Sequence, residues 1–295
     1  MPDRANAGEI FDASDEPLPW PDGETIGGTL AWHGVAGLVF EVGGTRLALD
    51  PFVSRPGWAQ IMFRPARPDA KAVKRAFPDL DAVLVGHAHF DHAMDLAPIA
   101  EASPDVVIRG SATTVELGRR LGIPEANLRE VTDGEQFTAG PFTVTAIHSR
   151  HGVVPLFRHL DPGKLPDSGL PRTAIRWPCG QVLSWRVEVG GRSFHLHSSA
   201  GIEDDALARQ APADVLLACL AARQGTPDYF GRLGRRLRPK LLIPIHHDDF
   251  TVPLDKPMRP VLRLDWPDFL TDVNALGAAH GTRLHRLPLG VPVEI

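Results

Sequence analysis

The stretch Ala82-Val83-Leu84-Val85-Gly86-His87-Ala88-His89-Phe90-Asp91-His92 decides how this chain is read. Its first four residues form a short apolar run, the pattern of a strand buried on both faces. A glycine ends the run, and three histidines and an aspartate follow within six positions. Zinc and similar borderline ions take imidazole nitrogen and carboxylate oxygen at about 2.0–2.2 Å. A single loop carrying four such groups straight after a buried strand brings them together at little entropic cost. In an extended segment His87 and His89 point to the same side and can grip one ion. Asp91 and His92, past the turn, can face a second ion or a bound water.

Outward from this loop, the chain alternates strands with polar loops and helices. Leu38–Val42 and Arg46–Asp50 flank Gly43-Gly44 and read as a hairpin ended by Pro51. Helical patterns at Met94–Ala102 and Ala112–Leu121 bracket a strand at Val106–Ile108, and Gly122 with Pro124 stops the second helix. Phe142–Ile147 alternates as a strand and delivers His148. Between Pro155 and Pro178 periodicity is lost among prolines and glycines, and a long irregular segment in a compact domain is usually functional or mobile. Val182–Val189 and Ser193–His197 form a second hairpin pattern. A helix at Glu203–Gln210 and buried strands at Val215–Ala218 and Leu241–Ile245 follow, the last running into His246-His247-Asp248-Asp249. Two halves with this plan predict an α/β fold, a four-layer αββα sandwich. Residues 1–27, acidic and rich in proline and glycine, read as an N-terminal arm, and residues 28–295 as the main domain.

Composition narrows the function classes. A 295-residue chain with 43% hydrophobic and 23% charged residues is an ordinary globular protein. A net charge of −5 disfavours a nucleic-acid binder that relies on a broad positive surface, and Arg232-Leu233-Gly234-Arg235-Arg236 reads as a solvated helix face. Cys179 and Cys219 have no Cys or His at zinc-finger spacing, so neither a disulfide framework nor a zinc knuckle is expected. The amino terminus lacks an apolar signal core, and no apolar run reaches membrane-spanning length, so a cytoplasmic location is expected.

His87-Ala88-His89-Phe90-Asp91-His92 resembles the HxHxDH signature of the metallo-β-lactamase superfamily, and the likeness runs from about Leu30 to Leu287. The pattern is similar to the branch holding ascorbate-6-phosphate lactonase and the N-acylphosphatidylethanolamine phospholipase D. Trp32-His33-Gly34-Val35-Ala36-Gly37, Asp50-Pro51 and Pro244-Ile245-His246 carry that finer likeness. The resemblance implies a metal-dependent hydrolase of a small ester, lactone or phosphodiester. It implies one or two ions, zinc with manganese or iron(II) as alternatives. His87, His89 and His148 would hold the first ion; Asp91, His92 and His246 would hold the second. His151 competes with His148, and His247 with His246. The strand end favours His148, and the Pro-Ile-His context favours His246. Asp91 would also orient the attacking water and pass its proton. Asp50 is the expected partner of a ligating imidazole, and His33 can line the site or sit as a hydrogen-bonded core residue.

One position departs from the family pattern. Where two-metal members have a bridging aspartate, Phe194-His195-Leu196-His197-Ser198-Ser199-Ala200-Gly201 places Ser199. The site loses a negative charge, and two dications are then balanced by Asp91 alone. This predicts one tightly held ion, or a weak second one, with His197 as a compensating candidate. Arg158, Arg172, Arg176 and Trp177 in the irregular segment suggest a lid for an anionic small-molecule substrate, against the alternative of a solvated loop. Two other readings stay open: a family member that binds metal without catalysis, and a nuclease of the same fold. Oligomeric state is not encoded in any of these motifs.

Overall fold

A computed structural model describes residues 7–65, 67–153 and 163–295. The strands are β1 (Gly28–Trp32), β2 (Leu38–Val42), β3 (Thr45–Leu49), β4 (Ala82–Leu84), β5 (Val107–Gly110), β6 (Leu128–Glu130) and β7 (Gln136–Ala139). They continue with β8 (Phe142–Ser149), β9 (Val182–Val189), β10 (Arg192–His197), β11 (Val215–Cys219), β12 (Leu241–Ile245), β13 (Arg283–Leu284) and β14 (Val293–Glu294). They form two sheets of seven, in the orders β14-β1-β2-β3-β4-β5-β6 and β13-β12-β11-β10-β9-β8-β7. Each sheet is mixed. β1–β3 and β7–β10 pair antiparallel, all through short connections except β8 to β9, which are separated by residues 150–181, whereas β3–β6 and β10–β13 run parallel.

Three apolar layers show how the sheets stack. Between them, Leu38, Phe40 and Leu49 meet Phe142, Trp185, Phe194 and Leu217. Outside the first sheet, Val39, Ala48, Val83 and Ile108 pack on helices Ala70–Ala76, Leu96–Ala102 and Ala112–Arg120. Outside the second, Leu216 and Leu242 pack on helices Tyr229–Leu237 and Trp266–His280. Alternate residues of one strand serve opposite layers, as Val39 and Phe40 do on β2. The expected αββα sandwich is the observed one.

The described part of the amino-terminal segment, from residue 7, is docked on this body. Leu18 N–H donates to Glu294 O at 2.9 Å and Ile26 N–H to Ile295 O at 2.7 Å. Leu18 and Trp20 enter the layer between the sheets. β14 pairs with β1 and forms the edge of the first sheet. Among the described residues, no helix is long and apolar enough to cross a membrane.

Candidate metal centre

The loops that follow β3, β4, β8, β10, β11 and β12 each send a residue to one cavity, joined by the segment that enters β9. Crevices beyond the carboxyl ends of strands are where open α/β sheets bind ligands. At the centre, Gly86 N–H donates to Asp50 Oδ1 at 2.6 Å, and Gly86 O accepts from Leu183 N–H at 2.7 Å. A Cβ at Gly86 would collide with Ser198 Oγ and Asp50 Oδ2. Glycine is therefore what lets the histidine loop turn this tightly between the two sheets. His89 then opens the single turn Phe90–Ala93, which places Asp91 and His92 one after the other.

His87 Nε2 and His89 Nδ1 lie 3.1 Å apart. The ring of His151 stands beside both, with centroids 4.9 Å from His87 and 4.7 Å from His89. His151 Nδ1 is 2.7 Å from Gly152 O, which makes it the protonated nitrogen and leaves Nε2 with a lone pair. Burial first, then the neighbouring imidazoles, pushes the pKa of His151 down to about 3 and that of His87 well below its ordinary value. The approach of His87 Nε2 to His89 Nδ1, with a third imidazole beside them, offers the kind of nitrogen donors a borderline cation takes. The residues present fit such an ion.

A second group adjoins the first. Asp91 Oδ2 lies 3.3 Å from His246 Nε2 and 3.7 Å from His92 Nε2. One ligand atom from each of these residues falls within 4.8 Å of the others. His92 Nδ1 is 2.9 Å from Asp50 Oδ2, an arrangement that turns Nε2 toward Asp91. Burial opposes charge on Asp91, but His92 and His246 outweigh it and hold its carboxyl well below the usual range. Burial likewise opposes protonation of His92, and Asp50 with Asp91 overcomes it to raise its pKa. His246 sits at φ +53°, with its N–H donating to Val35 O at 2.6 Å. Asp248 fixes that contact from below: it accepts from Val35 N–H at 2.8 Å and pairs with buried Arg55.

Several residues singled out in the sequence lie elsewhere. His148 is still in the β8 ladder opposite Leu183, its N–H donating to Asp133 Oδ1 at 2.8 Å, and it does not line the cavity. The chain leaves the ladder after Ser149, so His151, three residues on from His148, is the one whose ring stands beside His87 and His89. His247 turns the other way and stacks on Trp32 and Phe11 at 4.7 and 5.4 Å. His197 points to the helix side of β10, opposite to Leu196. There Ser184 Oγ lies 2.9 Å from its Nδ1 and Gly201 O lies 2.7 Å from its Nε2, so both ring nitrogens are occupied. His33 packs against Phe77 and lines a different hollow. Ser199 does line the cavity, where its Oγ accepts from Gly152 N–H at 3.3 Å. Arg172 and Arg176 are exposed and off the cavity wall, Trp177 is buried in that wall, and Arg158 lies outside the described residues.

Cys179, by contrast, comes into the site unannounced. One ligand atom each from His87, His89 and Cys179 lies within 4.8 Å of the others. Its only sequence signal was a position at the end of the irregular segment, just before β9. The cavity measures about 390 Å³. Beyond the donors, its apolar wall includes Trp58, Ile61, Phe90, Ile175, Trp177 and Phe250, and among the described residues no lysine or arginine lines it.

Residues 45–247 match the family model described as Beta-lactamase superfamily domain. The chain belongs to that family. The segment matched to the β-lactamase superfamily contains the whole donor cluster, from His87 to His246. Relatives include the UPF0173 metal-dependent hydrolases of Staphylococcus haemolyticus, 24% identical over 226 residues, and Staphylococcus saprophyticus, 26% over 230. Each match covers 75% of this chain and 86% of the relative. Among solved structures, Igni18, a metallo hydrolase from Ignicoccus hospitalis, aligns with TM-score 0.58 at 15% identity, covering 91% of this chain and 98% of that one. CmlA, a diiron β-hydroxylase from Streptomyces venezuelae, aligns at 0.56 and 17%, covering 91% and 54%. A hydrolase and a hydroxylase on one superfamily fold mean that the chemistry must be argued from the site.

Proposed function

We propose that this metal-dependent hydrolase opens a neutral ester or lactone with an apolar body, and that zinc is its ion. The observation that carries the reading is the cavity itself: the donor cluster shares it with two tryptophans and two phenylalanines, and no cationic side chain among the described residues. Beyond the charge of the ions themselves, phosphodiester and carboxylate substrates commonly draw on arginine or lysine against the anion. An uncharged carbonyl substrate does not. The resemblance to a branch containing a lactonase is compatible with this choice, while its phospholipase side is disfavoured by the same wall. His87, His89 and His151 would hold one ion, and Asp91, His92 and His246 a second.

An ion in this place supplies Lewis acidity, lowering the pKa of a water toward about 7 and polarising the carbonyl oxygen. The chain does the remaining work. Asp91 stays a carboxylate, accepts a hydrogen bond from the attacking water and orients it. Asp50 fixes the tautomer and tilt of His92. Trp58, Phe90 and Phe250 cover the apolar part of the substrate and keep bulk water away. Asp91→Asn, which keeps the shape but loses the anion, should lower turnover by roughly 10²–10⁴-fold while zinc remains at His87 and His89. Steady-state rates with metal analysis on the same sample check this. Wild-type turnover in the variant would overturn the role of Asp91. The loss of the bridging carboxylate at Ser199 favours a second reading, metal binding without catalysis. A zinc-filled protein inert toward esters, lactones and phosphodiesters alike would support it.

A further inference from the structure

We propose that Cys179 is a thiolate ligand of the ion held by His87 and His89, and that it supplies the negative charge missing at Ser199. The inference rests on the metal reading above and adds a donor that the HxHxDH motif does not contain. Two facts carry it independently. The ligand atoms of His87, His89 and Cys179 lie within 4.8 Å of one another, with His87 and Cys179 buried and His89 half-buried, and His87 Nε2 and His89 Nδ1 sit 3.1 Å apart, a spacing suited to sharing one cation. Separately, the residue at the end of β10 that faces the same cavity is a serine, so Asp91 is the one carboxylate on the cavity wall among the described residues. Two dications beside one carboxylate repel each other with little compensation. A thiolate at Cys179 adds a second anionic donor, beside His87 and His89. On binding, the sulfur–metal bond replaces the S–H bond and the proton leaves to solvent, so the step balances without a redox partner.

A sulfur donor also makes this position softer than the Asp91-His92-His246 group, which has only nitrogen and oxygen. The first position should therefore prefer zinc or cobalt over manganese. Cys219, the other cysteine on the cavity wall, has its Sγ 3.5 Å from Ala221 O, and it falls in neither donor group.

Cobalt(II) substitution tests this directly. The metal-free full chain is titrated with cobalt(II) while the visible d–d bands and the near-ultraviolet thiolate-to-cobalt charge-transfer band are recorded. Both sets should appear together with the first equivalent. The charge-transfer band should persist in Cys219→Ser and vanish in Cys179→Ser, whose d–d bands remain. Cobalt d–d bands in the wild type with no charge-transfer band would overturn the role of Cys179 and leave the metal site standing. A band lost in Cys219→Ser but kept in Cys179→Ser would also overturn it. No d–d bands at all would overturn the metal reading along with it. The wild-type and Cys219→Ser spectra decide the matter even if Cys179→Ser does not fold.

Discussion

At the residue scale, the chemistry depends on pairs that sequence spacing only half reveals. Asp50 is the clearest case: its two oxygens reach Gly86 N–H and His92 Nδ1, so one side chain sets both the bend of the loop and the tilt of an imidazole. Asp50→Asn should weaken metal binding about 10–100-fold, which competition with a chromophoric chelator would measure. Unchanged affinity would mean that His92 holds its orientation without Asp50. The six-position motif was legible because adjacent residues of one loop cannot be far apart. His151 was not separable from His148, because the choice depends on where β8 leaves its ladder, and that is set by pairing with β9 and by Gly201. His197 looked like a spare donor for a related reason. Its one-residue alternation with Leu196 sends it to the helix side, where Ser184 and Gly201 satisfy it. Cys179 was invisible because its distance from His87 is closed only by the fold.

At the element scale, the site is an assembly of loops, and buried polar contacts lock those loops together. Asp248, in the loop after β12, grips the Val35 turn and Arg55 at once. The same turn accepts the N–H of His246, which stands in the left-handed region normally left to glycine. Arg55→Ala leaves the Asp248 carboxylate buried without its cation. The expected cost is about 3–5 kcal/mol, read as a lowered denaturant midpoint together with weaker metal retention at Asp91, His92 and His246. A loss below about 1 kcal/mol, in the range of a surface pair, would show that water reaches Asp248. Elements with strong local patterns, such as β2, β3, β4 and β12, were readable from composition and turns. The two-residue strands β13 and β14 were not, since they exist only by pairing with β12 and β1. The segment before β1 read as an arm because its contacts, Leu18 and Trp20 into the inter-sheet layer, have no local period.

At the scale of the whole molecule, burying so many imidazoles makes stability depend on pH. Burial lowers the pKa of His33 and of His197 to about 4, and takes His195 well below its ordinary value. None of these three belongs to the donor cluster. Between the unfolded value near 6.5 and about 4, the unfolded chain binds protons that the native chain does not. Stability therefore rises with pH through that window and is lost as pH falls through it. Asp95 acts in the opposite sense: burial raises its pKa to about 6, so the native state takes up a proton there and gains stability toward acid. The histidines outnumber it. Urea midpoints of the chelated protein should fall steadily from pH 7 to pH 4, and a flat or rising profile would contradict this account. The two-sheet sandwich follows from the strand patterns, but the proposed preference for a neutral substrate rests on the cavity wall, which many distant residues build. Its central claim is tested by comparing turnover of a neutral aryl ester or lactone with that of an aryl phosphodiester by the zinc-loaded enzyme. Hydrolysis of the neutral substrate, with the phosphodiester far slower, is the predicted result; a phosphodiester turned over as fast or faster would contradict it.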